Sequence, residues 1–202
     1  MDPPGLDLTR LAAYLEDQGL TRGPLTAELI TGGKSNLTYV VRDATAEYVV
    51  RRPPLGHVLA TAHDMGREYR VMTALRDTPV PVPRTYHLCT DPEVIGAPFY
   101  VMEHVAGERP PMTPALAHEL IDVLAALHSI PPESVGLADF GRPDGYLERQ
   151  VRRWKKQLDA SRSRDIPGID ELFQRLSRDI PRSGAPAIVH GDFKLGNTLI
   201  AG

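Results

Sequence analysis

The pattern of apolar and polar positions divides the chain into a part rich in strands and a part rich in helices. Short apolar or alternating runs, bounded by turn residues, predict five strands at residues 25–30, 37–42, 48–52, 85–89 and 99–105. Apolar residues that recur every three or four positions predict five helices at residues 8–20, 59–76, 114–128, 146–158 and 169–180. Strands are therefore expected to dominate residues 25–105, and helices the residues that follow.

The second predicted helix carries a carboxylate among its apolar residues. Glu68 follows Met65 by three positions and precedes Met72 by four, so it lies on the apolar face of this helix. A carboxylate that faces inward needs a partner, because an unpaired buried charge is costly. Arg51 or Arg52, on the strand before this helix, would supply one. A solvated Glu68 is the alternative interpretation.

Composition and charge limit the partners that the chain is expected to have. Of its 202 residues, 42% are apolar and 24% charged, and the net charge of −3 gives no reason to expect nucleic acid or an anionic membrane as a partner. The one cysteine, Cys89, excludes an internal disulfide and a multi-cysteine zinc site and fits a reducing compartment. The sequence shows no signal peptide and no apolar run near the roughly 20 residues of a membrane-spanning helix. These features predict a cytoplasmic protein.

A glycine-rich turn at residues 31–36 joins the first two predicted strands. Gly32 and Gly33 would let backbone N–H groups approach phosphate oxygens closely, and Ser35 and Asn36 follow them. A P-loop is excluded, because that motif requires glycine where this chain has Glu28 and because the next predicted element is a strand, not a helix. An ordinary hairpin turn is the alternative.

The predicted helix at residues 146–158 is rich in basic side chains, namely Arg149, Arg152, Arg153, Lys155 and Lys156. Charge runs of this kind usually form a solvated face. Binding of an anionic substrate or a CoA-like group is the alternative, and the sequence leaves both interpretations open.

The last stretch of the chain, residues 188–200, holds a polar loop between two apolar runs. The loop offers a carboxylate at Asp192, an ammonium at Lys194 and a carboxamide at Asn197. This order and spacing match the catalytic loop of kinases, in which aspartate orients or deprotonates the attacking hydroxyl and asparagine holds magnesium. The lysine can reach the transferring phosphoryl group and offset its charge. The loop therefore predicts phosphoryl transfer.

The loop at residues 190–197, which reads His-Gly-Asp-Phe-Lys-Leu-Gly-Asn, resembles the catalytic loop of the aminoglycoside phosphotransferase family of small-molecule kinases. Four earlier segments resemble that family in the same order: its nucleotide loop at 32–36, its third strand at 49–54, its glutamate-bearing helix at 67–70 and its hinge at 99–103. The Arg-Arg-Pro-Pro and Arg-Glu-Tyr-Arg segments are similar to the branch whose kinase-like domains are fused to acyl-CoA dehydrogenases.

The resemblance implies an α+β fold of the two-lobed protein-kinase type. Residues 1–105 would form a nucleotide-binding lobe with an antiparallel sheet and a hinge, and residues 106–202 an incomplete helical lobe. The implied activity is transfer of the γ-phosphate of ATP, with Mg²⁺, to a hydroxyl group of a small molecule. The branch favours a hydroxyacyl-CoA-like acceptor and an acyl-CoA dehydrogenase-type partner, fused or associated. A nucleotide-binding pseudokinase or regulatory domain without transfer activity is the alternative.

The resemblance also implies roles for single residues of the loop. Asp192 would be the catalytic base or would orient the hydroxyl, Lys194 would act beside it, and Asn197 would be a magnesium ligand. In the family a second metal-binding aspartate follows this loop, whereas the sequence ends at Gly202. The 202 residues by themselves are therefore expected to be inactive.

The nucleotide contacts implied by the resemblance come from the first half of the chain. Glu68 would fix a cation of the third strand, Arg51 or Arg52, that holds the α- and β-phosphates. The other expected contacts are Gly32, Gly33, Ser35, Asn36 and the backbone groups of Glu103 and Val105.

Overall fold

A five-stranded antiparallel sheet forms the centre of the computed structural model, which describes residues 2–30, 36–56 and 64–201. The strands are β1 (Thr26–Leu29), β2 (Leu37–Arg42), β3 (Glu47–Arg52), β4 (Thr85–Cys89) and β5 (Phe99–Glu103), and their order in the sheet is β1-β2-β3-β5-β4. Each neighbouring pair is antiparallel. The five predicted strands and the α+β class with an antiparallel sheet are confirmed.

The register of the three central strands places polar side chains in one row across the sheet. Thr38 of β2 lies opposite Arg51 of β3, and Arg51 lies opposite Tyr100 of β5. Successive side chains of a strand point to opposite faces. Arg52 therefore points to the other face of the sheet from Arg51.

One face of the sheet and helix α1 (Leu8–Asp17) enclose the main hydrophobic core. Its most deeply buried side chains include Leu11, Leu15, Tyr39, Val50, Cys89 and Phe99. Burying a large apolar side chain stabilises a fold by about 1.5–3 kcal/mol. Much of the stability of the sheet is therefore expected to come from this face.

Helix α2 (Met65–Leu75) packs against β4 and β5 with its buried residues Met65 and Leu75. Thr73 Oγ1 and Thr85 Oγ1 share a hydrogen bond of 2.7 Å, which joins α2 to β4. The inward face of α2 thus meets the sheet, as its apolar pattern predicts. Positions 59–63 of the predicted helix lie outside the described residues.

Three helices follow the sheet: α3 (Pro114–His128), α4 (Tyr146–Ser161) and α5 (Ile169–Arg178). The sequence predicts each of them, and Thr113 Oγ1 accepts a hydrogen bond from the Leu116 N–H at 3.2 Å, as expected of a helix cap. Within the described part of the chain, no helix is long and apolar enough to cross a membrane.

The chain groups into two compact units. One comprises Met1–Ala126 together with His190–Gly202, and the other comprises Leu127–Val189. The first, the sheet unit, contains the sheet and the polar loop, and the second, the helical unit, contains α4 and α5. The division into lobes near residue 105 stays a prediction.

Candidate functional site

The carboxylate of Glu68 joins three segments of the sheet unit. Its Oε2 atom accepts hydrogen bonds from Arg51 Nε at 2.8 Å and from the Tyr100 hydroxyl at 3.0 Å. Its Oε1 atom accepts one at 2.8 Å from Nδ2 of Asn36, the last residue of the glycine-rich turn. Arg51 Nη1 also donates to Thr38 Oγ1 at 3.0 Å. The side chains of Arg51 and Glu68 are 29% and 35% exposed, so an anion in solvent can reach the guanidinium.

Arg52 occupies a different environment on the other face of the sheet. The residue is 5% exposed. Its guanidinium donates to the carbonyl oxygens of Ile95 at 2.8 Å, of Pro53 at 3.2 Å and of Gly5. These contacts tie the N-terminal segment and residue 95 to β3. Of the two arginines that the sequence leaves open, Arg51 is the one that contacts Glu68.

Tyr100 holds the Glu68 carboxylate from the sheet side. The residue is 2% exposed. Burial, and after it the charge of Glu68, raise the pKa of the Tyr100 hydroxyl well above its usual range. The hydroxyl therefore stays protonated and remains a hydrogen-bond donor to Glu68.

The polar loop begins with a turn that requires glycine. Gly191 has a φ angle of +84°, in the left-handed region that residues with a side chain rarely adopt. The Asp192 N–H donates to His190 Nδ1 at 3.3 Å, and the rings of His190 and Phe193 meet edge to face at 5.4 Å. His190 thus contacts the loop itself.

Two side chains of the loop converge on one carboxylate oxygen of a third. Lys194 Nζ lies 2.8 Å from Asp192 Oδ2, and Asn197 Nδ2 lies 2.9 Å from the same atom. Asn197 Nδ2 also donates to the backbone carbonyl of Asp192 at 2.9 Å. Because the amide nitrogen of Asn197 faces Asp192, its Oδ1 atom is directed away from that carboxylate. The structure brings together the three side chains that the sequence singles out.

The charge of Asp192 is stabilised by its two neighbours. Hydrogen bonds from Lys194, and then from Asn197, lower the pKa of Asp192 below its usual range, because both donors favour the ionised form. The side chains of Asp192 and Lys194 are 64% and 59% exposed. The carboxylate is therefore ionised near neutral pH and open to an approaching substrate.

The backbone beyond β5 carries the predicted hinge residues. The Glu103 N–H donates to the Arg84 carbonyl at 2.7 Å, and Glu103 Oε2 accepts a hydrogen bond from the Arg84 N–H at 3.0 Å. The Glu103 amide is thus already engaged by the β4 side. Within residues 2–30, 36–56 and 64–201, the Val105 amide donates to no protein group.

The segment after the loop pairs with the segment after the hinge. The Ile200 N–H donates to the Glu108 carbonyl at 2.9 Å, and the Glu108 N–H donates to the Ile200 carbonyl at 3.0 Å. A Cβ atom on Gly107 would lie 3.1 Å from the Ile200 carbonyl oxygen and 3.1 Å from Leu199 Cβ. These separations are tighter than most contacts of real side chains, so the pairing favours glycine at this position.

The predicted site residues form two clusters in the structure. Arg51, Glu68 and Asn36 meet at one, and Asp192, Lys194 and Asn197 meet at the other. Gly32, Gly33 and Ser35 lie outside the described residues. The roles of all these residues stay predictions.

Sequence reasoning missed three residues of this arrangement, Thr38, Tyr100 and Gly107. Thr38 and Tyr100 lie opposite Arg51 on its two neighbouring strands. Their positions opposite Arg51 depend on pairing between strands that are distant in sequence, and no local sequence pattern predicts that pairing. For Gly107 the signal was a glycine two residues after the predicted hinge strand.

The donor atoms of the loop fit magnesium held together with a phosphate group. Mg²⁺ prefers oxygen ligands and usually binds through one or two protein groups plus substrate phosphates and water. Asn197 Oδ1 and the carboxylate of Asp192 are oxygens of this kind. Among the described residues, no group of three or more histidine, cysteine, aspartate or glutamate side chains could hold a metal ion. Two such oxygens could hold magnesium only together with further oxygen ligands from outside the protein.

Known proteins are similar to this chain over most of its length. The model of the family described as phosphotransferase enzyme family matches residues 26–202. Acyl-CoA dehydrogenase family member 11 of Gallus gallus is 39% identical over 187 residues, which cover 88% of this chain and 24% of that protein. The chain spans 18–27% of the length of the first acyl-CoA dehydrogenase relatives that it matches.

Solved structures share the fold. A protein from Ralstonia eutropha JMP134, described as an aminoglycoside phosphotransferase, is 38% identical, with a TM-score of 0.83 over 96% of this chain and 60% of that chain. Spectinomycin phosphotransferase APH(9)-Ia, solved in complex with ADP and spectinomycin, has a TM-score of 0.58 at 16% identity and covers 99% of this chain and 67% of that chain. The second likeness is one of fold alone. Together these structures confirm the kinase-like fold.

Proposed function

Because the chain belongs to the phosphotransferase enzyme family, we propose that it transfers the γ-phosphate of ATP to a hydroxyl group of a small molecule. One observation carries the proposal. Lys194 and Asn197 both lie within 3 Å of a single carboxylate oxygen of Asp192, as 2.8 and 2.9 Å separations. A carboxylate, an amine and a carboxamide at one point supply the groups that phosphoryl transfer to a hydroxyl requires.

Asp192 is the proposed contact of the acceptor hydroxyl. Its pKa is held low by Lys194 and Asn197, so the carboxylate is ionised and accepts a hydrogen bond from the hydroxyl. A carboxylate with a lowered pKa is a weak base. Asp192 therefore orients the hydroxyl first. It takes the hydroxyl proton as the new phosphorus–oxygen bond forms and as the bond between the γ-phosphorus and the β,γ-bridging oxygen breaks, with ADP as the leaving group.

Lys194 and Asn197 are the proposed contacts of the phosphate side. Both side chains of the Asp192–Lys194 pair are more than half exposed, so the ammonium can turn towards a phosphoryl group without a large loss of pairing energy. Asn197 Oδ1 would hold magnesium. When bound, the ion would neutralise charge on the phosphate oxygens.

Arg51 is the proposed contact of the α- and β-phosphates. Glu68 holds the guanidinium through Nε and Thr38 holds it through Nη1, which leaves the outer edge of the fork for a phosphate. A lysine would present three donors on one nitrogen instead of a planar fork, so it would meet these partners with a different geometry. Asn36 is proposed to tie the glycine-rich turn, with Gly32, Gly33 and Ser35, to the same carboxylate.

The hinge is the proposed contact of the adenine ring. The Glu103 amide donates to Arg84, so the carbonyl oxygen of Glu103, not its amide, is the candidate acceptor. The Val105 N–H is the candidate donor. Their polarity matches the amino group and the ring nitrogen on the adenine edge.

The similarity to acyl-CoA dehydrogenase family members supports a finer proposal for the acceptor. A hydroxyacyl-CoA-like molecule is the favoured acceptor class, and an acyl-CoA dehydrogenase-type domain, fused or associated, is the proposed partner. Phosphorylation of such a metabolite agrees with the expectation of a cytoplasmic protein that has no nucleic acid or membrane partners.

The proposal is tested by ADP release from the complete reading frame that contains these 202 residues, in the presence of ATP and Mg²⁺. Acceptors would be presented by class: hydroxyacyl-CoA, choline-like alcohols, sugars and aminoglycosides. Asp192→Asn is expected to lower turnover roughly 10²–10⁴-fold while ATP still binds, because it removes the acceptor of the proton. Asp144→Asn, a change of an exposed carboxylate in the helical unit, is the matched control.

The two candidate functions separate in this experiment. ADP release that depends on an acceptor and on Asp192 supports transfer. Binding of ATP by calorimetry without ADP release above the Asp192→Asn level overturns transfer and leaves nucleotide binding alone, the pseudokinase alternative. Equal turnover of Asp192→Asn and wild type would refute the role of Asp192.

A further inference from the structure

We propose that Gly107 is a positioning residue that sets the catalytic loop relative to the hinge. It would act through the two backbone hydrogen bonds between Glu108 and Ile200. The inference rests on the proposed function, because it assigns Asn197 and Val105 to the two ends of one nucleotide.

The loop is held together by hydrogen bonds within itself. The Asn197 N–H donates to the Lys194 carbonyl at 2.9 Å, and the Thr198 N–H donates to the Leu195 carbonyl at 3.2 Å. Thr198 Oγ1 donates to the same Leu195 carbonyl at 3.0 Å. With Asn197 Nδ2 on the Asp192 backbone, these bonds fix Asp192, Lys194 and Asn197 relative to one another. Their placement towards a nucleotide then depends on what holds the loop.

The Glu108–Ile200 pair holds that loop at its C-terminal end. Ile200 follows Asn197 by three residues, and Thr198 between them is extended, with φ −122° and ψ 156°. At about 3.3 Å per extended residue, the bridge lies about 10 Å from Asn197. On the other side, Glu108 follows Val105 by three residues. Two hydrogen bonds thus connect the proposed magnesium ligand with the proposed adenine contact.

Gly107 permits this pair to form. A Cβ atom at position 107 would lie 3.1 Å from the Ile200 carbonyl oxygen, which is the acceptor of the Glu108 N–H. The acceptor is a backbone atom, so it cannot turn away as a flexible side chain would. A side chain at 107 therefore requires the backbone at Ile200 to give by a few tenths of an ångström, and this shift would pass to Asn197 through the hydrogen-bonded loop.

Gly141 offers a matched control. A Cβ atom built there meets no described atom within 4 Å, and its φ angle is not in the left-handed region. A change of Gly141 thus carries the general effect of replacing glycine without a clash. A difference between the effects of the same substitution at positions 107 and 141 therefore measures the effect of the contact between position 107 and Ile200.

The experiment compares Gly107→Ala and Gly107→Val with Gly141→Ala and Gly141→Val in the full chain. Hydrogen exchange would follow the Glu108 and Ile200 amides, and calorimetry would measure ATP binding with and without Mg²⁺. Protection at both amides is expected to fall from Ala to Val at position 107 and to stay unchanged at position 141. The Mg²⁺ affinity of the ATP complex is expected to fall roughly 10-fold or more for Gly107→Val, whereas ATP binding without Mg²⁺ changes less than twofold.

These measurements distinguish a wrong positioning role of Gly107 from a wrong proposed function. If wild type binds ATP and the Gly107 variants keep amide protection and Mg²⁺ affinity, the positioning role is wrong. If wild type binds no ATP, the proposed function is overturned and this inference with it. A thermal melt of each variant identifies one that does not fold, and the smaller Gly107→Ala change then decides the outcome.

Discussion

The sheet unit and the helical unit use the same amphipathic patterns but bury them to different extents. In the sheet unit, Tyr39, Val50 and Phe99 are fully buried. In the helical unit, none of the described residues of α4 and α5 is buried, and Trp154 and Leu172 are 60% and 50% exposed. An apolar stripe in a sequence therefore predicts a helix and its inward face, but not how much of that face is covered.

Different interactions hold the two units. The helical unit relies on exposed ion pairs: Lys155 contacts Asp159 at 2.6 Å and Asp170 at 3.3 Å, and Arg162 contacts Asp170 at 3.4 Å. Exposed pairs of this kind contribute little and are screened by salt. The sheet unit is stabilised mainly by apolar burial, which salt does not screen. The comparison thus predicts that the helical unit is less stable than the sheet unit.

The largest effect that tests this comparison comes from a core truncation. Phe99→Ala is expected to lower the free energy of unfolding by about 3–5 kcal/mol, since it leaves a cavity among fully buried side chains. Leu172→Ala in α5 is the matched truncation and should change it by less than about 1 kcal/mol, since Leu172 is half exposed. Urea unfolding followed by circular dichroism measures both. Similar losses for the two variants would show that the units do not differ as described.

An intermediate effect is expected from the polar network on the second face of the sheet. Tyr100→Phe removes a buried hydrogen bond to a charged carboxylate, and such bonds contribute about 1.5–3 kcal/mol. Tyr48→Phe is the control, because the Tyr48 hydroxyl donates to the neutral Leu20 carbonyl at 2.9 Å and the expected loss is about 0.5–1.5 kcal/mol. Only Tyr100→Phe should also weaken ATP binding. Equal ATP affinities in the two variants would contradict a contribution of the Tyr100–Glu68 hydrogen bond to ATP binding.

The smallest effect is expected from the ion pairs of the helical unit. Hydrogen bonds from Lys155, and then from Arg162, lower the pKa of Asp170 in the folded chain. The stabilisation from Asp170 is therefore present above the pKa of the unfolded chain and is lost as the pH falls through the lower, folded pKa. Asp170→Asn should lower helix content slightly at pH 7 in dilute buffer, and the difference should vanish in 1 M salt or in acid.

Circular dichroism at 222 nm measures this difference, with Asp144→Asn as the control. A difference between Asp170→Asn and wild type that persists unchanged in 1 M salt would mean that the contacts of Asp170 are not electrostatic. A control variant that behaves like Asp170→Asn would mean that any lost carboxylate has this effect.

Local sequence patterns predict much of the fold and part of the candidate site. The angular position of Glu68 on its helix predicts an inward carboxylate with an arginine partner, and the structure pairs it with Arg51. Which of the two arginines contacts it depends on the face of the sheet that α2 covers. Pairing between Glu108 and Ile200 joins residues far apart in sequence, so no local pattern predicts it.

Helix ends were predicted less well than helix positions, and local chemistry explains why. Helix α1 ends at Asp17 rather than near residue 20, and Gly19 then takes a φ angle of +70°. Helix α5 ends at Arg178, two residues before the predicted end, because Ile180 precedes Pro181 and proline disfavours a helical residue before it.

Cys89 gives this protein a built-in reporter of opening at an edge of the sheet. Its thiol is 1% exposed at the end of β4, and Sγ lies 3.5 Å from the Asp91 carbonyl oxygen. A thiol-reactive dye can reach it only after this strand separates from the core. The labelling rate of Cys89 therefore measures how often β4, the strand next to the hinge strand, opens. Because the sequence contains one cysteine, the signal comes from this site alone.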